Sequence, residues 1–381
     1  MPDFEPYSSA ILPPGIRSRF VEGVNGLRMH ILEAGFEGAG RPLVLLLHGF
    51  PELAYSWRKI MAPLAVAGFH VVAPDQRGYG RTTGCDTSYD GDLAAFRLLN
   101  LAADAVALVS ALGKRSVAAL VGHDFGSPVA AWAALTRPDV FPAVALMSSP
   151  FAGPPAWQAP AATSSNIHDD MAALSQPRKH YQWYYSERRA DADMHKCPQG
   201  LHAFLRAYYH VKSADWADNR PFKLSGWTAP ELAKLPTYYI MDLNQDMSAT
   251  VAPHMPSPEQ VAACGWLTDA ELAVYASEFG RTGFQGGLQW YRGRTQGTWN
   301  GDTLFAGRTI DVPSIFIAGA SDWGIYQFPG AIEVMETRVC TKFRGVHLIN
   351  GAGHWVQQEQ PTEVVRLLVE FLGGCSESLT R

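Results

Sequence analysis

"AALVGHDFGSPVAA" (118–131) runs from apolar residues through two glycines into an alanine-rich segment, with one carboxylate, Asp124, at its centre. An apolar run that ends in small-x-acid-x-small and leads into a helix-forming stretch predicts a strand, a sharp turn and a helix, with the central residue pushed out of the turn. Gly122 and Gly126 supply the lack of bulk that lets strand and helix approach. The first helical turn aims backbone N–H groups at the same point, where they stabilise an anion or a developing oxyanion. The plainer reading makes Asp124 a helix N-cap, and the rest of the chain decides between the two.

Around this turn the pattern alternates. "LRMHILEA" (27–34), "RPLVLLLHG" (41–49), "FHVVAPD" (69–75), "SVAALVG" (116–122) and "FPAVALMSS" (141–149) read as strands. The segments 56–69, 92–113 and 127–138 read as helices. The pattern resumes with a strand at 312–319, a helix around 329–338, a strand at 343–351 and a closing helix at 363–372. Near-continuous apolar strands separated by helices predict an α/β fold whose mostly parallel sheet is covered on both faces. Between about 151 and 308 the alternation stops. That stretch holds seven of the eleven Trp and nine of the fourteen Tyr, with many prolines and no comparable strand run. It is expected to be an inserted helical lid, giving a core at 1–150, a lid at 151–308 and a second part of the core at 309–381.

Composition narrows the function. A net charge of −5 provides no electrostatic footprint for nucleic acid. The five cysteines are scattered and form neither a CxxC pair nor a zinc-type cluster, so structural disulfides and a metal are not expected. The N-terminal stretch lacks the basic-then-apolar pattern of a signal peptide, and no apolar run is long enough to span a bilayer. A cytoplasmic protein without a membrane anchor or cofactor is the expectation, with a homodimer as the candidate assembly.

A carboxylate nucleophile needs a base, and the base needs an orienting acid. Of the twelve histidines, His354 in "GAGHW" (351–355) follows the last strand in a Gly-rich loop. Asp322 in "IAGASDWG" (317–324) lies just after the preceding strand. The order Asp124, Asp322, His354 is nucleophile, acid, base, each in a loop at the carboxyl end of a parallel strand. "HGFPE" (48–52) follows the strand "LVLLL", a location that supplies the second N–H of an oxyanion hole, here Phe50 with Phe125. Serine attack on a saturated carbon would leave an ether that resists hydrolysis. Aspartate attack leaves an ester, which His354-activated water can cleave. The chemistry expected is therefore displacement at an sp3 carbon. An epoxide oxygen leaves as an alkoxide and needs a proton donor such as Tyr, available in "HYQWYYSERR" (180–189) and "GGLQWYRG" (286–293). A halide needs N–H donors instead, and neither Phe125 nor Phe50 has one on its ring. A dehalogenase and a catalytically silent ligand-binding protein of the same fold are the rival readings.

"HGFPE", "SWRK" (56–59), "APDQRGYG" (73–80), "VGHDFG" (121–126), "HYQWYY", "TGFQGGLQWYRG" (282–293), "DWG" (322–324) and "GAGHWVQQEQP" (351–361) together resemble the α/β-hydrolase-fold epoxide hydrolases over residues 20 to 373. The resemblance implies an α/β-hydrolase fold with a cap and a hydrophobic or aromatic small-molecule epoxide as substrate. It implies Asp124 as nucleophile, Asp322 and His354 as the water-activating pair, and Tyr181 and Tyr291 as ring-opening acids. It also implies a cis peptide before Pro51. Tyr184, Tyr185, Tyr238 and Tyr239 stay open as substitutes for either tyrosine. Expected substrate contacts are His48, Pro51, Gln182, Trp183 and Trp355. Two departures from the family pattern bear on the substrate, a long lid stretch at 236–262 and Trp183 at a position where a smaller aliphatic residue is common.

Overall fold

The computed structural model describes residues 4–157, 166–296 and 301–379. Eight strands form one sheet: β1 (Ile16–Val24), β2 (Leu27–Ala34), β3 (Leu43–Leu47), β4 (His70–Pro74), β5 (Ala119–His123), β6 (Val144–Met147) and, after the insertion with its own short strands, β9 (Ile310–Gly319) and β10 (Cys340–Ile349). Their spatial order is β1-β2-β4-β3-β5-β6-β9-β10. From β4 to β10 every pairing is parallel, whereas β1–β2 and β2–β4 are antiparallel. The central strands β3 and β5 are buried at every position, because helices cover both faces.

The strand β1 was not in the sequence reading. As an edge strand it leaves most of its residues half-buried or exposed, and it turns into β2 through Asn25-Gly26, both at positive φ. Such a two-residue turn is the strongest short-range hairpin signal a sequence carries. The helix expected around 329–338 is a short helix, Ala331–Val334, followed by a wider π turn, Met335–Val339, and β10 starts at Cys340, earlier than expected.

Between β6 and β9 the chain forms a mostly helical insertion. It includes the helices Leu201–Lys212, Asp269–Thr282 and Gln285–Thr295, and a ribbon of two three-residue strands, β7 (Arg178–His180) and β8 (Ile240–Asp242). The ribbon is too short to show as a strand run in sequence. Apolar side chains of the insertion continue into the core without a break, so Trp290 and Trp57 belong to one hydrophobic interior. No described helix is long and apolar enough to cross a membrane, and the five cysteines are free thiols.

Candidate active site

Asp124 follows β5 directly and precedes the helix Gly126–Thr136, at φ 51°. Left-handed backbone costs a non-glycine residue roughly 1–3 kcal/mol and persists only where the surroundings impose it. Here the crossing is tight: a Cβ on Gly122 would lie 2.1 Å from the Gly126 carbonyl oxygen, and one on Gly126 would lie 2.3 Å from that of Leu47. Strand, turn and helix therefore hold Asp124 outward. Its Oδ1 accepts from the Phe50 N–H at 2.8 Å, and its Oδ2 lies 3.2 Å from His354 Nε2. That approach is off the hydrogen-bonding direction, leaving Nε2 without an aligned partner. The helix cap at this position is Phe125, so the plainer reading of Asp124 as N-cap does not describe it.

His354 lies in the loop after β10 and Asp322 in the loop after β9. The His354 Nδ1 is 3.1 and 3.2 Å from the two Asp322 oxygens, and Asp322 Oδ1 also accepts from the Gly324 N–H at 2.7 Å. Burial opposes charge on His354, but the Asp322 carboxylate outweighs it, with the Asp124 contact adding to the effect, and the pKa rises to about 9. Asp124 is buried too, which favours its neutral form; the His354 contact reverses this and holds it far below the usual carboxylate range.

The loop around His354 is held from both sides. Glu359 accepts N–H bonds from Gly353 at 2.9 Å, Trp355 at 3.0 Å and Ala214 at 2.8 Å. Behind the site, His123 contacts Glu52 Oε2 through Nδ1 at 2.6 Å and the His354 carbonyl oxygen through Nε2 at 2.7 Å. Gln357 and Gln358 donate to the other Glu52 oxygen. Every member of this chain is buried, and each polar link in a buried network steadies the next.

Within electrostatic reach of Asp124 are Tyr181, first residue of the short helix Tyr181–Tyr185, and Tyr291, their ring centroids 6.0 Å apart. Burial, reinforced by the Asp124 charge, raises both pKa values, so both stay neutral phenols. The Tyr181 hydroxyl donates to Gln327 Oε1 and accepts from Gln182 Nε2, each at 3.1 Å. The Tyr291 hydroxyl has no hydrogen-bond partner among the described residues. Of the alternatives, Tyr184 bonds Asp193, Tyr185 bonds Tyr208, and Tyr238 bonds Asn219, while Tyr239 gives its backbone oxygen to the Tyr181 N–H.

The expected substrate contacts separate. Trp355 packs on the His354 ring at 4.8 Å and donates its indole N–H to the Tyr209 carbonyl. The Phe50–Pro51 bond is cis, and the Pro51 oxygen accepts from the Tyr209 hydroxyl. His48 is buried and props the loop after β3: its Nδ1 engages the Gly49 oxygen, and its Nε2 accepts from the Gln76 N–H. The Trp183 ring lies on His168 at 4.1 Å and on His180 at 5.0 Å.

One buried group escaped the sequence reading. Lys212 ends the helix Leu201–Lys212 and reads in sequence as an ordinary basic last turn. Its ammonium lies 4.4 Å from the Tyr239 ring centroid and 5.3 to 5.8 Å from those of Tyr208, Tyr238 and Tyr181. Burial lowers its pKa to about 8 against the pull of Asp124 and Asp322. With His354 protonated, two cations face two carboxylates and the site is close to neutral. The Lys212 carbonyl also accepts the His354 N–H at 2.8 Å. Among the described residues no cluster of His, Cys, Asp or Glu is arranged to hold a metal ion.

The family model for the α/β hydrolase fold matches residues 42–361. Epoxide hydrolase A of Mycobacterium tuberculosis is 36% identical over 353 residues, covering 92% of this chain and 95% of its own length. An epoxide hydrolase of Caballeronia sordidicola is 32% identical, covering 91% of each chain. Among solved structures, an epoxide hydrolase from an endophytic Streptomyces superimposes with a TM-score of 0.76 at 33% identity, over 96% of this chain and 97% of that one. The chain belongs to the α/β-hydrolase fold family and, within it, to the epoxide hydrolases.

Proposed function

We propose that the protein opens an epoxide to a vicinal diol through an ester on Asp124, with residues 151–308 acting as the cap that carries both acids. The Asp124 Oδ2 attacks one oxirane carbon, and the C–O bond breaks. The leaving oxygen takes a proton from one of the two phenols, Tyr181 or Tyr291, and that donor becomes a phenolate. Asp124 is now an ester and has lost the charge that supported the His354 proton, so His354 becomes a stronger acid and gives up that proton to the phenolate, which restores the phenol. As a neutral base oriented by Asp322, it then deprotonates water, which adds to the Asp124 carbonyl carbon. The resulting oxyanion on Oδ1 sits against the Phe50 N–H and the Phe125 N–H. Collapse expels the diol oxygen, which takes the proton of the added hydroxyl, and leaves Asp124 as a carboxylate beside a protonated His354, the starting state.

The observation that carries this reading is the pairing of one carboxylate with two unlike partners. A base oriented by a second carboxylate lies at 3.2 Å, and two neutral phenols lie within its electrostatic reach. The rings of Phe125 and Phe50 offer no N–H for a halide, which separates this site from dehalogenation.

The test is a trapped intermediate. The H354Q variant mixed with styrene oxide should accumulate an adduct on the Asp124 peptide, seen by intact mass and peptide mapping. Turnover without an adduct on that peptide would overturn the ester route.

A further inference from the structure

A cavity of about 480 Å³ opens beside the nucleophile, with Phe125 in its wall. Most of its lining is apolar, including Phe151, Trp290 and Phe328, yet a guanidinium projects into it. Arg294 lies three residues beyond Tyr291 on the same helix, hence on the same face. Its side chain lines the cavity and is accessible through it. Among the described residues it has neither an ion-pair nor a hydrogen-bond partner, and its charge rests over the Phe328 ring at 5.0 Å. The electrostatic partners that bear on it are the Tyr181 and Tyr291 hydroxyls. Arg97 also lines the cavity, and its charge is directed at Asp302, the acidic side chain of the lining. Arg294 therefore remains as an uncompensated cation beside the two phenols.

Arg294 lines a mostly apolar cavity while part of it stays open to solvent, so an anion that enters the cavity meets a charge-assisted hydrogen-bond partner at little desolvation cost. We infer that Arg294 receives a carboxylate carried by the substrate, so that the preferred epoxides are apolar or aromatic oxiranes bearing an anionic group. The reading rests on the epoxide chemistry proposed above and adds the substrate class. Geometry limits the spacer. From Tyr291 to Arg294 the helix rises by about 4.5 Å, a little less than one turn, so the anion lies a few bonds from the oxirane.

The experiment compares styrene oxide with its 4-carboxylate derivative, on wild-type enzyme and on R294Q and R294K. Wild type should favour the carboxylate in kcat/KM. In R294Q that selectivity ratio should fall by about tenfold or more, as expected when a charged hydrogen bond is lost, mainly through KM, and R294K should retain part of it. An unchanged ratio in R294Q would overturn the inference. An equal loss on both substrates would also overturn it, since the charge would then act on the tyrosines. If wild type opens neither epoxide, the epoxide reading itself fails and this inference with it, an outcome distinct from a lost preference.

Discussion

The two tyrosines within electrostatic reach of Asp124 are alike in burial and unlike in bonding. Tyr181 already gives its proton to Gln327, while the Tyr291 hydroxyl is uncommitted. An acid must turn its proton to the leaving oxygen, so Tyr291 is ready and Tyr181 must first leave Gln327. Y291F should therefore slow ring opening more than Y181F. The double variant should lose about three powers of ten in the single-turnover alkylation rate, the range expected for general-acid help. Rapid-quench rates that do not change in the double variant would place the acid elsewhere. Both assignments came from the residues around each Tyr, whereas the Gln327 bond joins positions 146 apart in the chain and had no local signal.

At the scale of elements, the sheet's antiparallel edge depends on one carboxylate. Glu33 on β2 is buried, and it accepts from Arg17 Nε at 2.5 Å and Arg19 Nε at 2.6 Å, both on β1, while His70 on β4 lies 3.1 Å from its other oxygen. Burial works against its charge, but the His70 and Arg19 contacts prevail and lower its pKa to about 2. Because the folded value lies below the unfolded one, this contribution to stability is present above about pH 4.5 and fades as pH falls toward 2. E33Q should cost about 1–2 kcal/mol at neutral pH, and its difference from wild type in urea unfolding should shrink toward pH 3. A difference independent of pH would mean that packing, not charge, is at stake. The turn of the hairpin was written in the sequence as Asn25-Gly26, but the partners of Glu33 depend on which strands are neighbours.

For the whole molecule the question is how insertion and core keep their register, since the proposed nucleophile and acids, Asp124 and the two tyrosines, come from different parts of the chain. Arg58 is the buried link. From the core it donates to Glu271 at 2.9 Å and Tyr275 at 3.4 Å in the insertion, and to Gln358 beyond it at 2.7 Å. Tyr275 also bonds Ser56 at 2.8 Å. Removing one partner from such a buried set strands the others, at a cost of about 3 kcal/mol. R58M should lower the urea midpoint accordingly, and a midpoint within error of wild type would show that apolar packing alone joins the two parts.

The sequence by itself determined the alternation that makes a parallel sheet, the sharp turn at Asp124, the placing of Asp322 and His354 after successive strands, and the family. These are local patterns or short motifs, and each is enforced by backbone geometry within a few residues, as the close approach of Gly122 to Gly126 demonstrates. Tertiary structure alone decided what surrounds each group. It buried Lys212 among four tyrosines, set Trp183 against two histidines, turned His48 back onto its own loop, and left Arg294 facing a cavity. A side chain's direction and its partners depend on neighbours brought from far along the chain, and charge or hydrogen bonding at such points follows from burial that no single stretch of residues encodes.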